Sequence, residues 1–453
     1  MTIKSLEDIA VDLASGQTSS RKLVEECLGR IEDPDGEGER AFLVCDREDV
    51  LANADAMDKL RSLGAHPGPF AGIPLAIKDL FDVRDQVTSA GSKILAGTTP
   101  AHEDAEALAR LRAAGFIFIG RTNMTEFAYS GLGINPHYGT PKSPYEREQG
   151  RVPGGSSAGT AVAVADEMAI AGMGTDTGGS CRIPAAFCGV TGFKPSAQRV
   201  SREGVVPLSF TLDSIGPIAR SVRCCEILDG ILSGEPVEDD DPRILSSLRL
   251  AVPEALFLED LDDDVSRDFE DLCTRLEAAG AVVNRLPFDV FDTLPDINSK
   301  GGFASAEAWH WHMEYLNERA DEYDPRVGSR IKTGEKQSAA DYIELLQIRQ
   351  EVIAEIVDDL DGYDAMLSPT VAIIPPLIDS FAGSGSDEHY GQQNLLVLRN
   401  TSAMNFIDAC SISIPMHGPG NAPTGLMLTA MNGEDRSLFA IARAVEPLSR
   451  NTN

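Results

Sequence analysis

The chain has 453 residues, 42% of them hydrophobic and 24% charged, which is enough to bury a large core and leaves no long stretch to be read as disordered. Its formal net charge of −32 argues against polyanionic nucleic acid and an anionic membrane surface as partners, since either needs clustered Lys and Arg. The basic side chains are 10 Lys and 29 Arg; such an acidic, Lys-poor surface suits a salty medium, where screening weakens self-repulsion, and fits an ordinary solvated face equally well.

At the N-terminus, acidic residues inside the apolar pattern speak against a secretory signal. Ser5 is placed to cap a helix whose apolar positions Leu6, Ile9, Ala10 and Leu13 run to Gly16. Thr18 to Ile31 repeats the helical pattern. A charged loop, Glu32 to Glu39, leads into a short strand beginning at Ala41, and Val50 to Leu63 returns to helix. Ile73-Pro-Leu-Ala-Ile is a buried-strand run that ends at Lys78. Asp104 to Ala114 reads as a helix closed by Gly115, and Phe116-Ile-Phe-Ile as a buried strand. Thr122 to Tyr129 reads as a helix start, and Gly131 to Ser143 as a Gly/Pro/Asn loop. Residues 150 to 195 are dense in Gly, Ser and Thr.

Beyond them, Glu235 to Asp241 reads as a surface loop or segment boundary. Leu248 to Val252 is a strand, and Asp262 to Ala279 a helix with acidic residues in its first turn, where the dipole favours them. Ala281-Val-Val is a strand. Residues 301 to 361 are largely helical and carry Trp309 and Trp311; strands follow around Ala365 to Leu367 and Ile412 to Ile414. Strands and helices alternate throughout, which implies an α/β layered architecture. No apolar run approaches the roughly 18 residues of a membrane span. The eight cysteines, Cys27, Cys45, Cys181, Cys188, Cys224, Cys225, Cys273 and Cys410, form no CxxC pair and no metal spacing with His, and a reducing cytoplasm with free thiols is the simplest account.

The chemistry concentrates in two blocks, Gly154-Gly-Ser-Ser-Ala-Gly159 and Gly174-Thr-Asp-Thr-Gly-Gly-Ser180. Attack on an amide needs a nucleophile, a base for its proton and donors for the oxyanion. A glycine-rich turn lets successive backbone N–H groups point into one small volume. Thr177-Gly178-Gly179-Ser180 is such a turn with a hydroxyl at its end. None of the seven histidines lies in an evident catalytic motif. Lysine is then the candidate base, and it can serve only if its surroundings keep it neutral; Lys78, at the end of an apolar run, is placed for that. The first block is not a phosphate-binding loop, because no Gly-Lys-Ser/Thr follows at the right spacing.

These segments closely resemble the amidase signature family of serine hydrolases. The shared stretches are Gly72-Ile-Pro-Leu-Ala-Ile-Lys78-Asp79, Thr122-Asn-Met-Thr-Glu-Phe127, Pro153-Gly-Gly-Ser156-Ser157, Gly174 to Ser180 and Gly192-Phe-Lys-Pro195. Ser201-Arg-Glu-Gly, Leu212 to Pro217, Ser368-Pro-Thr and Pro423-Thr-Gly-Leu also fit. The two Gly/Ser blocks, 24 residues apart from Ser156 to Ser180, are specific when joined to the upstream lysine motif. The resemblance implies a single large α/β/α layered domain over 1–453, with a mixed central sheet covered by helices: a helical segment over 1–65, the signature core over 70–220, and the rest of the sheet and the pocket elements over 221–453. It implies Ser180 as nucleophile, Ser156, held in this family by a cis peptide bond, as proton relay, and Lys78 as base. The backbone amides of Thr177, Gly178, Gly179 and Ser180 would form the oxyanion hole. No metal or organic cofactor is implied; the expected partners are a small amide and water, and homodimers occur among relatives. Ala158, Cys181 and Ser196 depart from the commonest family residues without removing a catalytic group.

Each residue also has a bland role. Ser180 could end a structural turn, Ser156 could cap a helix, and Lys78 could be a solvated strand end. Asp176 is expected to orient backbone or pair with Arg182. Arg182 is a candidate for holding an anionic substrate group or, the favoured role, for bracing the loop. Tyr129 and Tyr138 are candidate pocket residues or ordinary packed tyrosines. Cys181 is expected to be a small packed side chain. The leading expectation is an amidase acting on a small amide. The alternative is the glutaminase (A-type) subunit of a glutamyl/aspartyl-tRNA amidotransferase, against which Lys78-Asp-Leu-Phe speaks, since those subunits more often carry Lys-Asp-Asn. A non-catalytic binding protein is a third reading, opposed by the presence of all three candidate residues.

Overall fold

The computed structural model describes residues 4–235, 243–383 and 385–450; most of the expected surface loop Glu235 to Asp241 lies outside them. The N-terminal helix is Leu6–Ser15, with Ser5 accepting from the Asp8 amide and Gly16 turning left-handed to end it. The next helix is Ser20–Ile31, capped by Ser19. The expected charged loop hides the start of a one-turn helix, Gly38–Ala41. The helix expected from Val50 begins at Arg47, because the Asp46 carboxylate accepts from the Glu48 and Asp49 amides.

Among the described residues eleven strands form one mixed sheet: β1 (Phe42–Val44), β2 (Pro74–Lys78), β3 (Ile117–Thr122), β4 (Ala171–Asp176), β5 (Thr191–Lys194), β6 (Ser214–Ala219), β7 (Arg249–Pro253), β8 (Val282–Leu286), β9 (Ala365–Pro369), β10 (Cys410–Pro415) and β11 (Gly425–Ala430). Their spatial order is β1-β3-β2-β4-β6-β5-β10-β11-β9-β7-β8. β2 runs parallel to both neighbours, pairing Leu75 with Phe118 on one side and Ala171 on the other, so its carboxyl end lies beside that of β4. The seam between the two halves of the chain is the antiparallel pair β5 and β10, with Phe193 opposite Ile412.

Side chains alternate across the sheet with period two. Leu75, Ile77, Leu250, Val252, Leu426 and Leu428 join one extended core with the helices Glu106–Ala113, Val222–Ser233, Asp263–Ala278 and Asp435–Ser449. Ala76 joins a second core with Val162 and Ala185, while Ala251 and Met427 join a third with Val352 and Met404. The class is therefore α/β, a mixed sheet with helices on both faces.

One expected element differs. The segment Thr122 to Tyr129 is not the start of a regular helix: it leaves β3 extended and makes only a 3₁₀ turn, Glu126–Ala128, with positive φ at Phe127 and Ala128. The cause is the Glu126 side chain, which is buried and accepts from Ser92 Oγ, the Asp324 amide and His137 Nε2. The backbone follows it inward, and the Phe127 amide donates to Ala90 rather than along a helix. No helix among the described residues is long and apolar enough to cross a membrane.

Candidate active site

Lys78 closes β2 in the middle of the sheet and is fully buried. Its Nζ lies 2.8 Å from Ser156 Oγ and 2.8 Å from Thr175 Oγ1, and no carboxylate is in ion-pair contact with it among the described residues. Burial lowers the Lys78 pKa to about 8, against the smaller opposing pull of Cys181, Asp176 and Asp213. Asp79 turns away to Arg121 Nε at 2.7 Å and takes the Gly91 amide, so it fixes the strand exit rather than pairing with the amine. The solvated-lysine reading is thereby excluded.

Ser156 precedes the helix Ala158–Ala165, and the peptide bond before it, from Gly155, is cis. The N-cap of that helix is Ser157, without a side-chain cap bond, so capping is not the role of Ser156. Two glycines of β4 let this helix start lie against the sheet. A Cβ on Gly172 would stand 2.4 Å from Thr160 Cγ2, and one on Gly174 2.7 Å from Ser157 Oγ. The two serine blocks are tied directly, since the Ser157 amide donates to the Ser180 carbonyl at 3.3 Å.

β4 ends at Asp176, and the loop to the helix Arg182–Cys188 carries Ser180. The Asp176 carboxylate accepts from the Gly179 amide at 2.8 Å and the Cys181 amide at 3.1 Å, and forms a fully buried ion pair with Arg182 at 2.8 Å. Burial alone would raise its pKa, but Arg182, with Lys194 and Asn405, holds it well below the usual carboxylate range. Asn405 Nδ2 and Thr401 Oγ1 lock the loop from the helix Ser386–Phe406, the second by donating to the Gly178 carbonyl at 2.6 Å. Thr177 Oγ1 donates to Asp213 Oδ1 at 2.5 Å, and Asp213 also accepts from the Leu208 and Ser209 amides.

This bonding leaves an ordered set of donors. Among the described residues, the amides of Thr177, Gly178 and Ser180 and the Ser180 hydroxyl have no partner, whereas the Gly179 amide is committed to Asp176. The expectation that all four amides face an oxyanion is corrected on that point: Gly179 supplies conformation, at φ 128°, and a Cβ there would meet Thr401 Oγ1 at 2.2 Å. Adjacent blocks of chain thus hold a free hydroxyl, a second hydroxyl bonded to a buried amine, and three unpartnered N–H groups, the kinds of group that acyl transfer uses.

Arg182 is wholly buried, with Nε and Nη2 on Asp176, Nη2 also on Asn405 and the Thr401 carbonyl, and Nη1 beside Met427 Sδ. It braces the loop and faces no cleft, which corrects its candidacy as a substrate contact. Tyr129 is buried too; its hydroxyl pairs with Ser305 Oγ at 3.0 Å, and Arg330 lies 4.6 Å over its ring. Tyr138, half-buried, reaches the Ser92 carbonyl at 3.4 Å. Neither tyrosine contacts the Lys78–Ser156–Ser180 group. Cys181 is the expected packed thiol, buried, near the Gly216 carbonyl, its pKa raised by burial. Thr175, Asp213, Thr401 and Asn405 do not stand out in the sequence. Thr175 lies inside the second glycine block, but its approach to Lys78 depends on the β2/β4 register; Asp213 lies in the matching stretch Leu212 to Pro217, which does not show that it reaches Thr177, and Thr401 and Asn405 come from a distant segment with no local signal.

Removing one member of a buried ion pair leaves the other charge uncompensated. Asp176→Ala is therefore expected to cost about 3 to 5 kcal/mol of stability, read as a lower urea midpoint, and to abolish activity even in the folded fraction.

The whole chain can be set beside known proteins. The family model described as Amidase matches residues 22–439. A 2-amino-5-chloromuconic acid deaminase of Comamonas testosteroni is 33% identical over 418 residues, covering 90% of this chain and 88% of its own. The A-type chain of the glutamyl-tRNA(Gln) amidotransferase of Chromohalobacter salexigens is 32% identical, covering 97% of this chain and 95% of its own. The crystal structure of an amidase superposes with a TM-score of 0.88 at 31% identity, covering 98% of this chain and 99% of that one. The native peptide amidase of Stenotrophomonas maltophilia superposes with a TM-score of 0.79 at 26% identity, covering 99% of this chain and 97% of that one.

Proposed function

Because the chain belongs to the amidase signature family and is an amidohydrolase acting on C–N bonds, we propose that it cleaves a small amide through an acyl-enzyme on Ser180, with Ser156 as proton relay and Lys78 as base. The observation that carries this reading is a buried amine 2.8 Å from Ser156 Oγ, in a block hydrogen-bonded to the Ser180 loop.

In the proposed reaction the Ser180 Oγ attacks the carbonyl carbon. Its proton passes to Ser156 as Ser156 gives its own to the neutral amine of Lys78. The negative oxygen of the tetrahedral intermediate accepts from the Thr177, Gly178 and Ser180 amides. The C–N bond then breaks as the proton returns along the same path to the leaving nitrogen. Water attacks the ester by the reverse relay and releases the acid. Asp176, Arg182, Asn405 and Asp213 position the loop without touching substrate. The free thiols, all but Cys45 buried, fit a reducing compartment, and we place the enzyme in the cytoplasm.

The relatives also support a second reading, a glutaminase subunit that hands ammonia to a partner. The purified chain alone is expected to release ammonia from simple amides other than glutamine. Turnover confined to glutamine and dependent on a second protein would establish the alternative instead.

A further inference from the structure

The helix Ser386–Phe406 does more than lock the nucleophile loop. Thr401 and Asn405 point into the loop; the neighbouring face carries Leu395, Leu398 and Ser402, at helical spacings of three and four. Leu398 fills the gap between two glycines from opposite sides of the site. A Cβ on Gly178 would stand 3.4 Å from Leu398 Cδ2, and one on Gly131 3.2 Å from Leu398 Cγ. Gly178 carries one of the unpartnered amides, and the Gly131 carbonyl accepts from Gly155, the residue joined to Ser156. Ser402 follows, its Cβ 3.8 Å from the same Gly178 position and its hydroxyl turned back to the Arg399 carbonyl. One turn toward solvent, Leu395 is 70% exposed. Phe210, 50% exposed, sits on the segment whose Asp213 holds Thr177. A large exposed leucine three residues from a half-buried one that packs against the α-carbon side of Gly178 is an apolar strip leading toward the Ser180 loop.

We infer that Leu398, extended outward by Leu395, is a specificity-determining residue that holds the acyl side of the substrate and selects primary amides bearing an alkyl chain over amides, such as glutamine, that carry charged groups there. The inference rests on the Ser180 reading and narrows it to a substrate class. The reaction selected is R–CO–NH₂ + H₂O giving R–COOH and NH₃, with R lying against Leu398. A charged R loses its hydration against this wall without gaining a partner from it, while an alkyl R gains contact area.

The test is a kcat/KM series for acetamide, butyramide, hexanamide and glutamine on the full chain, with ammonia release as the readout. The wild type is expected to prefer hexanamide to glutamine by about 100-fold or more. Leu398→Ala is expected to lower the hexanamide-to-acetamide ratio by roughly tenfold, chiefly through KM. Leu398→Asn, a polar side chain of the same branched shape, should lower it similarly, and Leu398→Met should keep it within about twofold. A ratio is insensitive to loss of folded protein, so a purely structural role for Leu398 leaves it unmoved. An unchanged ratio in Leu398→Ala and Leu398→Asn, a wild type that prefers glutamine, or a wild type that hydrolyses none of the alkyl amides overturns the inference. Ser180→Ala is run alongside: hexanamide turnover surviving in that variant would overturn the nucleophile assignment, a failure distinct from an unchanged ratio.

Discussion

Ser180→Ala is expected to lower kcat by roughly 10⁴-fold or more while the fold survives, because a nucleophile replaced by a methyl group leaves only binding and the oxyanion donors to act. Ser180 is 3% exposed and its hydroxyl bonds to nothing among the described residues, so the substitution removes little packing and no internal hydrogen bond. Thermal unfolding of the variant should match the wild type within a few degrees. A fluorophosphonate should label Ser180 in the wild type and fail to label the variant, with mass spectrometry locating the adduct. A well-folded wild-type chain that stays unlabelled would move the reading toward a non-catalytic binding protein.

The second large effect is in pH. Burial lowers the Lys78 pKa to about 8, and the base works only when neutral. Below that value kcat/KM should therefore rise about tenfold per pH unit, and above it level off. Lys78→Ala should cost about 10³-fold and flatten the rise. A wild-type profile already flat from pH 6 upward would exclude Lys78 as the base. The same group leaves a mark on stability. Between about 8 and the ordinary lysine value of 10.5, the unfolded chain holds a proton that the folded chain has shed. Stability from this group therefore rises with pH through that window, and below it the buried ammonium costs the fold about 3 kcal/mol.

The sequence made the local parts legible and left the long-range ones hidden. Ser5 and Gly16 bracket the first helix as expected, because caps are set by neighbouring residues. The strand run ending at Lys78 was visible because every position in it is apolar and buried. The segment after β3 misled, since its helical pattern is overridden by Glu126, whose partners Ser92, His137 and Asp324 come from three other stretches of chain. In the same way the Ser180 loop could be recognised as a glycine-rich turn, but the use of the Gly179 amide by Asp176 could not, because that depends on the curl of four residues in space. Arg182 could be read as a binder or a brace; only its burial against Asn405 and Thr401 decides for the brace.

The sheet order has a consequence for inheritance. β1 to β6 lie on one flank of the sheet and β7 to β11 on the other, and the two flanks join where β5 pairs with β10. Lys78, Ser156 and Ser180 all belong to the first flank, whereas Leu395 and Leu398 come from the second. On the proposed reading, the bond-breaking residues and the substrate-selecting ones are thus encoded in separate, contiguous stretches. Crossover within the interval between β6 and β7 would graft a new preference onto unaltered catalytic residues, provided that the Thr401 and Asn405 anchors travel with the incoming half.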